Sequence, residues 1–382
     1  MSTQALTEEQ RAFVEAIRDF ARRECGTREQ RDALTDHGRE PHNQPLYERI
    51  AGLGWLGAAI PEEYGGAGGS AVDLCLLCEE FARGLIPMGF FPVTMMAARP
   101  VELFGSQALK EDILGGIVRG RTGAIAMSEP EAGSDVGNLS CRAEQSDGAF
   151  VVNGQKTWIT GAHMAEQIVV VCRTTRSDDK HHGLTMISVP RDVTGLEVRG
   201  IETMGWPGEV NDMYFTDCLV PEDRVVGVVD QAWMQLMAGL NNERLIIAAQ
   251  ALGMGQRAFD DVLAYVKERR QFGQPIGGFQ TIKHRLADLA CELQATRDLV
   301  YGVARAVEAK PDRMLPREAS MAKLKATELA KRIALEGMQM MGGYGYATEY
   351  DMEAHVRHAL VTTIYGGASE IQREIIARSL GL

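Results

Sequence analysis

The segment that organises the chain is residues 240–249, which read LNNERLIIAA and open a long stretch of apolar residues at helical spacing. This spacing predicts one helix from Leu245 to Lys267, with the carboxylate of Glu243 near its start. Residues 364–372, IYGGASEIQ, contain a glycine-rich turn of the kind that lets a ligand approach the backbone closely. We interpret Glu243 as a candidate base and this turn as its partner.

The rest of the C-terminal part keeps the helical periodicity. Three more helices are predicted, at residues 278–308, 316–341 and 367–380, with the run from Gly342 to Gly345 as an interruption. Four long helices with short connections are typical of an antiparallel bundle. We therefore expect a C-terminal four-helix domain at residues 229–382.

The first part of the chain is also predicted to be helical. Thr7 with Gln10 three positions later matches a capping box, and the apolar residues after it fall on one helical face. Further helices are expected around residues 44–54, 70–84 and 107–119. We expect an N-terminal all-α domain at residues 1–120.

Residues 121–228 have a different pattern, with short β-branched or alternating runs separated by turn residues. Strands are predicted at residues 149–154, 167–172 and 184–189. Because no Gly-x-Gly-x-x-Gly follows a strand within a βαβ unit, a Rossmann nucleotide site is disfavoured. The predicted fold class is α+β, with a small β-barrel-like middle domain between two helical domains.

The overall charge argues against one class of function, nucleic-acid binding. The 382 residues include 40 basic and 52 acidic side chains, a net charge of -12, which disfavours a general nucleic-acid binder. An anionic substrate would need a local basic patch. The amino terminus lacks a basic region followed by an apolar run, and no stretch stays apolar long enough to span a bilayer, so we expect a cytoplasmic protein.

The cysteines and histidines do not predict a metal site. The seven cysteines are scattered and odd in number, as is typical of a reducing compartment. Cys75 and Cys78 have a redox or zinc spacing, but they sit in an apolar helical run without a second pair, so we expect them to pack in the core. His181 and His182 lie in a polar stretch that we interpret as a solvated loop.

Five motifs, in this order along the chain, resemble the acyl-CoA dehydrogenases. They are SEPEAGSD at 128–135, QKTWITG at 155–161, ERRQFG at 268–273, QMMGGYG at 339–345 and IYGGASEIQ at 364–372. The resemblance covers essentially the whole chain, and it implies FAD held between the middle and C-terminal domains and shared with a neighbouring subunit of a homotetramer. It also implies a role in fatty acid metabolism by β-oxidation.

The resemblance assigns cofactor contacts position by position. The loop along the flavin and its ribityl chain would include Ile125, Met127, Ser128, Gly133 and Ser134. The flavin ring would meet Trp158 and Thr160, and Ala368 and Glu370 stand where several relatives have threonine and glutamine near FAD. The adenosine diphosphate part would be held across the subunit boundary by Arg269, Phe272, Gln280, Gln339, Gly342 and Gly343.

These residue types suit the implied roles, although each also has a structural alternative. An arginine fork matches a pyrophosphate, and glycine lets backbone amides close on it. However, Arg269 lies at a helix end where a cation is favourable without a ligand, Trp158 in a strand is usually core, and Gly342 could end a helix. The joint occurrence of the motifs favours the functional interpretation.

The implied reaction removes the proton α to a thioester carbonyl and a hydride from the β carbon. It requires a carboxylate aimed at the α carbon and hydrogen bonds to the thioester oxygen. Many relatives carry this base directly after the tyrosine that here is Tyr365, where this chain has Gly366. In a branch that includes isovaleryl and long-chain enzymes, the base lies at the position of Glu243. The position of Gly366 is then taken by a small residue.

The pairing of Glu243 with Gly366 has a physical reason, because two carboxylates at one α carbon would repel each other. A solvated helix glutamate is the ordinary interpretation of such a residue. The apolar neighbours Leu240, Leu245 and Ile246, together with Gly366, favour the base.

Substrate contacts follow from the same resemblance. The backbone N–H of Gly366, assisted by a ribityl hydroxyl, would donate to the thioester oxygen. Arg244 is turned well round the helix from Glu243, and we expect it to anchor the turn at 365–367 or the pocket wall. The predicted substrate-binding residues are Ser134, Arg244, Tyr365, Gly366 and Gly367.

Two rival functions remain open at the level of sequence. One is a flavin-dependent oxidase or monooxygenase on the same fold, and the other is a non-catalytic FAD-binding subunit of a mixed tetramer. The acyl chain is not specified, and neither is the choice between a CoA and a carrier-protein thioester. An electron-transfer flavoprotein is the expected oxidant by resemblance.

Overall fold

The computed structural model describes residues 6–310 and 314–382, without the side chains of Leu240 and Asn241. Helices before the sheet are α1 (Glu8–Cys25), α2 (Arg28–Leu34), α3 (Gln44–Gly52), α4 (Ala71–Arg83), α5 (Phe91–Phe104) and α6 (Gln107–Val118). Helices after it are α7 (Ala232–Glu268), α8 (Gln280–Ala309), α9 (Pro316–Met341), α10 (Gly343–Tyr346), α11 (Met352–Thr362) and α12 (Ser369–Ser379).

One sheet of eight strands lies between the two sets of helices in the sequence. Its strands are β1 (Gly123–Ala126), β2 (Arg142–Ser146), β3 (Ala149–Thr160), β4 (Gln167–Arg173), β5 (Leu184–Pro190), β6 (Leu196–Ile201), β7 (Val210–Pro221) and β8 (Val225–Val226). The strand order is β6-β7-β3-β2-β4-β5-β8, and β1 pairs in parallel with β4. A separate hairpin is formed by β9 (Arg270–Gln271) and β10 (Gln274–Pro275). The α+β fold class is therefore confirmed.

The described chain divides into two compact units. The first unit comprises Met1–Arg31, Ser70–Ile86 and Asn241–Leu382, and the second comprises Asp32–Gly69 and Pro87–Leu240. Both units take helices from the first 120 residues, and the division falls inside α7.

Each unit has its own apolar core. In the first, α7, α8 and α9 bury a cluster that includes Val262, Leu289 and Ile333. In the second, the alternation of strand residues buries one face of the sheet, with Val152 and Ile168 fully enclosed. These cores fix the helix and strand positions that carry the candidate site residues.

Each predicted helix and strand overlaps one in the structure, although α7 begins at Ala232 and not at the predicted Leu245. The Thr7 hydroxyl accepts from the Gln10 N–H at 3.1 Å, and the Gln10 side chain accepts from the Thr7 N–H at 3.2 Å, so the capping box is confirmed. Cys75 and Cys78 are buried as expected, and burial raises the pKa of Cys78 to about 12. His181 lies outside the helices and strands with its side chain 40% exposed, and its ring also stacks on Trp233 at a centroid distance of 4.0 Å, a contact that the sequence did not predict.

Sequence analysis did not predict the short helices α2 and α10 or the longer helices α5 and α11. Helix α5 follows Phe90, which gives no polar start signal, and Asp351 precedes α11 without a side-chain cap hydrogen bond among the described residues. Helix α5 also contains Pro100 and buries several of its faces, which removes the amphipathic stripe. Helix α11 packs against α9 and adds a fifth long element to the predicted four-helix bundle.

No helix within the described residues is both long enough and apolar enough to cross a bilayer.

Candidate active site

In the first unit, Glu243 faces the glycine turn. Glu243 is partly exposed on α7, whereas residues 244–249 after it are buried. A Cβ atom placed on Gly366 would lie 3.6 Å from Glu243 Oε1. The structure thus brings together the carboxylate and the turn that the sequence paired.

Gly366 is required here for two separate reasons. Its φ is +59° and that of Gly367 is +79°, a left-handed conformation that L side chains rarely adopt. A Cβ on Gly366 would also lie only 2.1 Å from Ile247 Cδ1. A glycine at this position therefore lets the turn pack against Ile247 with its backbone close to the Glu243 carboxylate.

Within residues 6–310 and 314–382, the Gly366 N–H donates a hydrogen bond to no group of the protein. A backbone N–H of this kind can donate to a carbonyl oxygen on which negative charge develops. Tyr365, just before it, is partly buried and its hydroxyl lies 3.5 Å from Gln250 Oε1 on α7.

Two completely buried side chains hold this turn. Lys323 Nζ donates to the carbonyls of Thr362 at 2.9 Å and Gly367 at 3.0 Å. Gln372 Nε2 donates to the carbonyls of Gly366 at 3.2 Å and Gly367 at 2.9 Å. Arg244 makes no hydrogen bond to residues 365–367 in the described part of the chain, so the expected anchor is supplied by these two residues instead.

Sequence analysis missed Lys323, although a signal for it exists. The buried face of α9 includes Ala319, Ala322, Ala326 and Ala330, and Lys323 falls within this small apolar stripe. A lysine at such a position is rarely buried without a specific role. The stripe could therefore have identified it.

The charges near Glu243 act on its pKa in opposite directions. Burial raises the pKa of Glu243, and the positive charges of Arg244 and Lys323 oppose this effect. Burial lowers the pKa of Lys323 to about 8, against the attraction of Glu243. A carboxyl with a raised pKa is a stronger base than a solvated one and is suited to removing a weakly acidic proton.

In the second unit, β1 and the loop after it expose the residues predicted to lie along the flavin. Ala124 and Ala126 are buried, so the strand alternation leaves Ile125 and Met127 partly exposed. Farther along the loop, Gly133 and Ser134 are exposed.

Trp158 is not a core residue. Its φ is +62°, and it lies in a bulge where β3 gains one residue on β7 between the pairs Lys156–Met213 and Ile159–Asn211. The ring is 60% exposed, which excludes the core alternative. Thr160 ends the same strand and is partly exposed.

A buried ion pair connects the flavin loop to this strand. Lys156 Nζ lies 2.7 Å from Glu129 Oε1 and donates to the Met127 carbonyl at 2.9 Å. The adjacent Thr157 N–H donates to the Ser128 carbonyl at 2.9 Å. The structure thus brings the motifs at 128–135 and 155–161 together.

The residues predicted to hold the adenosine diphosphate part lie in the first unit and are mostly exposed. The Arg269 guanidinium lies 5.3 Å from the Tyr344 ring centroid, which joins the motifs at 268–273 and 339–345. Beside them is an open cleft of about 720 Å³, lined by Tyr265, Arg270 and Tyr350 among others. Other predicted contacts with exposed side chains or backbone are Phe272, Gln280, Gln339, Gly342, Gly343 and Glu370. Ala368 is partly exposed and precedes the first turn of α12.

Comparison with known families identifies the fold. Models of the N-terminal, middle and C-terminal domains of acyl-CoA dehydrogenase match residues 7–121, 124–218 and 230–381. The chain belongs to the acyl-CoA dehydrogenase family. It is therefore an oxidoreductase, and the resemblance stated from the motifs is confirmed.

Individual relatives match over nearly their full length. The chain is 33% identical to a mitochondrial isovaleryl-CoA dehydrogenase of Solanum tuberosum, covering 97% of this chain and 90% of the relative. It is 34% identical to the caffeyl-CoA reductase-Etf complex subunit CarC of Acetobacterium woodii, covering 98% of both. The solved butyryl-CoA dehydrogenase of Megasphaera elsdenii superposes with a TM-score of 0.90 at 30% identity, covering 99% of this chain and 100% of that structure.

Proposed function

We propose that the protein catalyses the FAD-dependent α,β-dehydrogenation of a saturated acyl-CoA thioester to the trans-2-enoyl-CoA, with Glu243 as the base. The observation that carries this proposal is the closeness of the Glu243 carboxylate to the Gly366 backbone, where a Cβ would lie 3.6 Å from Glu243 Oε1. The position after Tyr365, where many members of the family carry the base, is occupied by Gly366, so Glu243 is the carboxylate assigned to this role.

The residues present fit FAD. Trp158 is exposed at a bulge, where a flat apolar ring has a surface to cover. Gly342 and Gly343 have open space around their Cα atoms, and Arg269 supplies an exposed guanidinium suited to a pyrophosphate. FAD, when bound, supplies the acceptor of the β hydride.

The chain's own groups account for the proton and for the charge on the thioester. The Gly366 N–H would donate to the thioester oxygen as negative charge develops there, which makes the α proton more acidic. Glu243 would take that proton, and its raised pKa lowers the cost of the transfer. Lys323 and Gln372 keep the donor in place through the carbonyls of the turn.

The partners follow from the family rather than from the described contacts. We propose an electron-transfer flavoprotein as the oxidant, in line with the name of the Acetobacterium woodii relative, which is a subunit of a complex with such a protein. We further propose that the exposed contacts around Arg269 and Phe272 serve a neighbouring subunit of a homotetramer.

An anaerobic titration tests the reaction. FAD-loaded protein is mixed with a panel of saturated acyl-CoAs of different length and branching while the flavin absorbance is followed. We expect bleaching by a subset of thioesters and formation of the enoyl product, with little oxygen consumption when air is admitted. A protein that carries FAD but is bleached by no thioester would contradict the proposal, and rapid oxygen consumption would favour the oxidase.

A further inference from the structure

Lys323 is a buried cation without a close counterion. It is 0% exposed, and its ammonium forms no ion pair with any carboxylate of the described residues. Its hydrogen-bond partners are the carbonyls of Thr362 and Gly367, both uncharged. Placing such a charge in a protein interior is costly, so packing alone does not account for it.

The two carbonyls belong to residues on either side of Gly366 in the sequence. Thr362 ends α11 and Gly367 follows Gly366, so one ammonium ties the two sides of the turn that carries the Gly366 N–H. Gln372 adds a second clamp on the carbonyls of Gly366 and Gly367. A shift of this turn would misalign the Gly366 donor.

The charged groups around Lys323 come from three helices. The charges that act on the Lys323 ammonium are those of Glu243 and Arg244 on α7, Glu328 on its own helix α9, and Glu370 on α12. Among these groups Glu243 exerts the largest effect on the ammonium. Lys323 in turn is one of two cations that favour the ionised form of Glu243.

We propose that Lys323 is a positioning residue for the dehydrogenation: it clamps the Gly366 turn and supplies the positive charge that keeps Glu243 ionised. The inference rests on the proposed function of Glu243. It assigns two separable roles to one side chain, a geometric role through hydrogen bonds and an electrostatic role through charge.

Three variants separate these roles. Lys323→Met removes both the charge and the donors, whereas Lys323→Gln keeps a donor and removes only the charge. Lys325→Met is the matched control, because Lys325 lies on the same helix, is 46% exposed and pairs with Glu292 away from the turn. Melting temperatures establish that each variant is folded, and if Lys323→Met does not fold, Lys323→Gln carries the test of charge.

The first readout is the pH dependence of anaerobic flavin reduction by an acyl-CoA that bleaches the wild type. Loss of a nearby cation raises the pKa of a carboxyl, so the midpoint of the rise in rate moves to higher pH in both Lys323 variants, by on the order of one pH unit. Below the midpoint the rate falls about tenfold. Lys325→Met keeps the wild-type midpoint.

The second readout does not depend on turnover. Amide hydrogen exchange of a peptide covering residues 362–368 is expected to become faster in Lys323→Met and to stay close to wild type in Lys323→Gln and Lys325→Met. An unchanged midpoint and unchanged exchange in folded Lys323→Met would overturn the inference. If no thioester reduces the wild type, the proposed function fails, while the exchange data still decide whether Lys323 clamps the turn.

Discussion

Two lysines among the described residues are completely buried, and their surroundings differ. Lys156, in the second unit, meets the Glu129 carboxylate at 2.7 Å, and the other Glu129 oxygen accepts from the Ser140 N–H and hydroxyl. Lys323, in the first unit, meets two backbone carbonyls only. The charge of Lys156 is neutralised by Glu129, and this pair stabilises the fold. The charge of Lys323 is not neutralised by a bonded carboxylate, so it can act on Glu243.

The pKa values express the same contrast. Burial acts to raise the pKa of Glu129, but the Lys156 charge and the hydrogen bonds from Ser140 and Cys141 outweigh it, so the pKa is lowered. Burial lowers the pKa of Lys323 to about 8, and no partner restores it. The charge of Lys323 therefore costs stability at neutral pH, a cost typical of a functional residue.

The largest expected loss of stability comes from replacing Lys156, the lysine that pairs with a carboxylate. Lys156→Met leaves the Glu129 carboxylate buried without its counterion, which should lower the free energy of unfolding by about 3–5 kcal/mol. Urea unfolding at pH 7 measures it. In the double variant Lys156→Met/Glu129→Leu most of that loss should be recovered, and a double variant as unstable as the single one would contradict this account of the pair.

The pH dependence of stability distinguishes the unpaired lysine. Burial lowers the pKa of Lys323 to about 8 in the folded protein, from an ordinary value of 10.5. The unfolded chain therefore binds more protons between these pH values, and the stability contributed by this group rises with pH there. The wild type should gain about 2 kcal/mol over Lys323→Met between pH 7 and 9.5. If the free energies of unfolding of the two proteins changed with pH in parallel, the pKa of Lys323 would not be lowered in the folded protein.

A smaller effect is expected at the turn that Lys323 holds. Gly366→Ala places a methyl group against Ile247 Cδ1 in a left-handed backbone conformation and should cost about 1–3 kcal/mol of stability. Ile247→Val removes the Cδ1 atom, so the double variant should recover the steric part and keep the conformational part. Thermal unfolding of the three variants decides this, and a double variant no better than Gly366→Ala would assign the whole cost to the backbone.

The smallest effect on stability is expected for Lys323→Met at pH 7. It removes a costly buried charge but also the donors to two buried carbonyls, so the two effects should nearly cancel, within about 1 kcal/mol. Urea unfolding beside Lys156→Met gives the comparison directly. If Lys323→Met lost as much free energy of unfolding as Lys156→Met, the two lysines would stabilise the fold equally and the contrast between them would fail.

The sequence predicted the fold well because periodicity reports burial, and the described helices and strands are largely amphipathic. Among the helices it missed are α5 and α11, neither of which starts with a side-chain cap hydrogen bond in the described structure. At the site, motifs and spacing predicted the residues but not their partners. The clamp of Lys323 on Thr362 and Gly367 spans 39 and 44 positions, and no local pattern encodes such a contact. The exposed bulge at Trp158 depends on a register shift between strands, which a strand pattern alone does not reveal.

The central claim is that Glu243 removes the α proton. In the most direct test, FAD-loaded Glu243→Gln is mixed anaerobically with an acyl-CoA that bleaches the wild type, and the rate of flavin reduction is measured. Glu308→Gln, which alters an exposed carboxylate of α8, is the control. We expect Glu243→Gln to bind FAD and the thioester but to reduce its flavin about 10²–10⁴-fold more slowly, with the control unchanged. Reduction of Glu243→Gln at the wild-type rate would contradict the account.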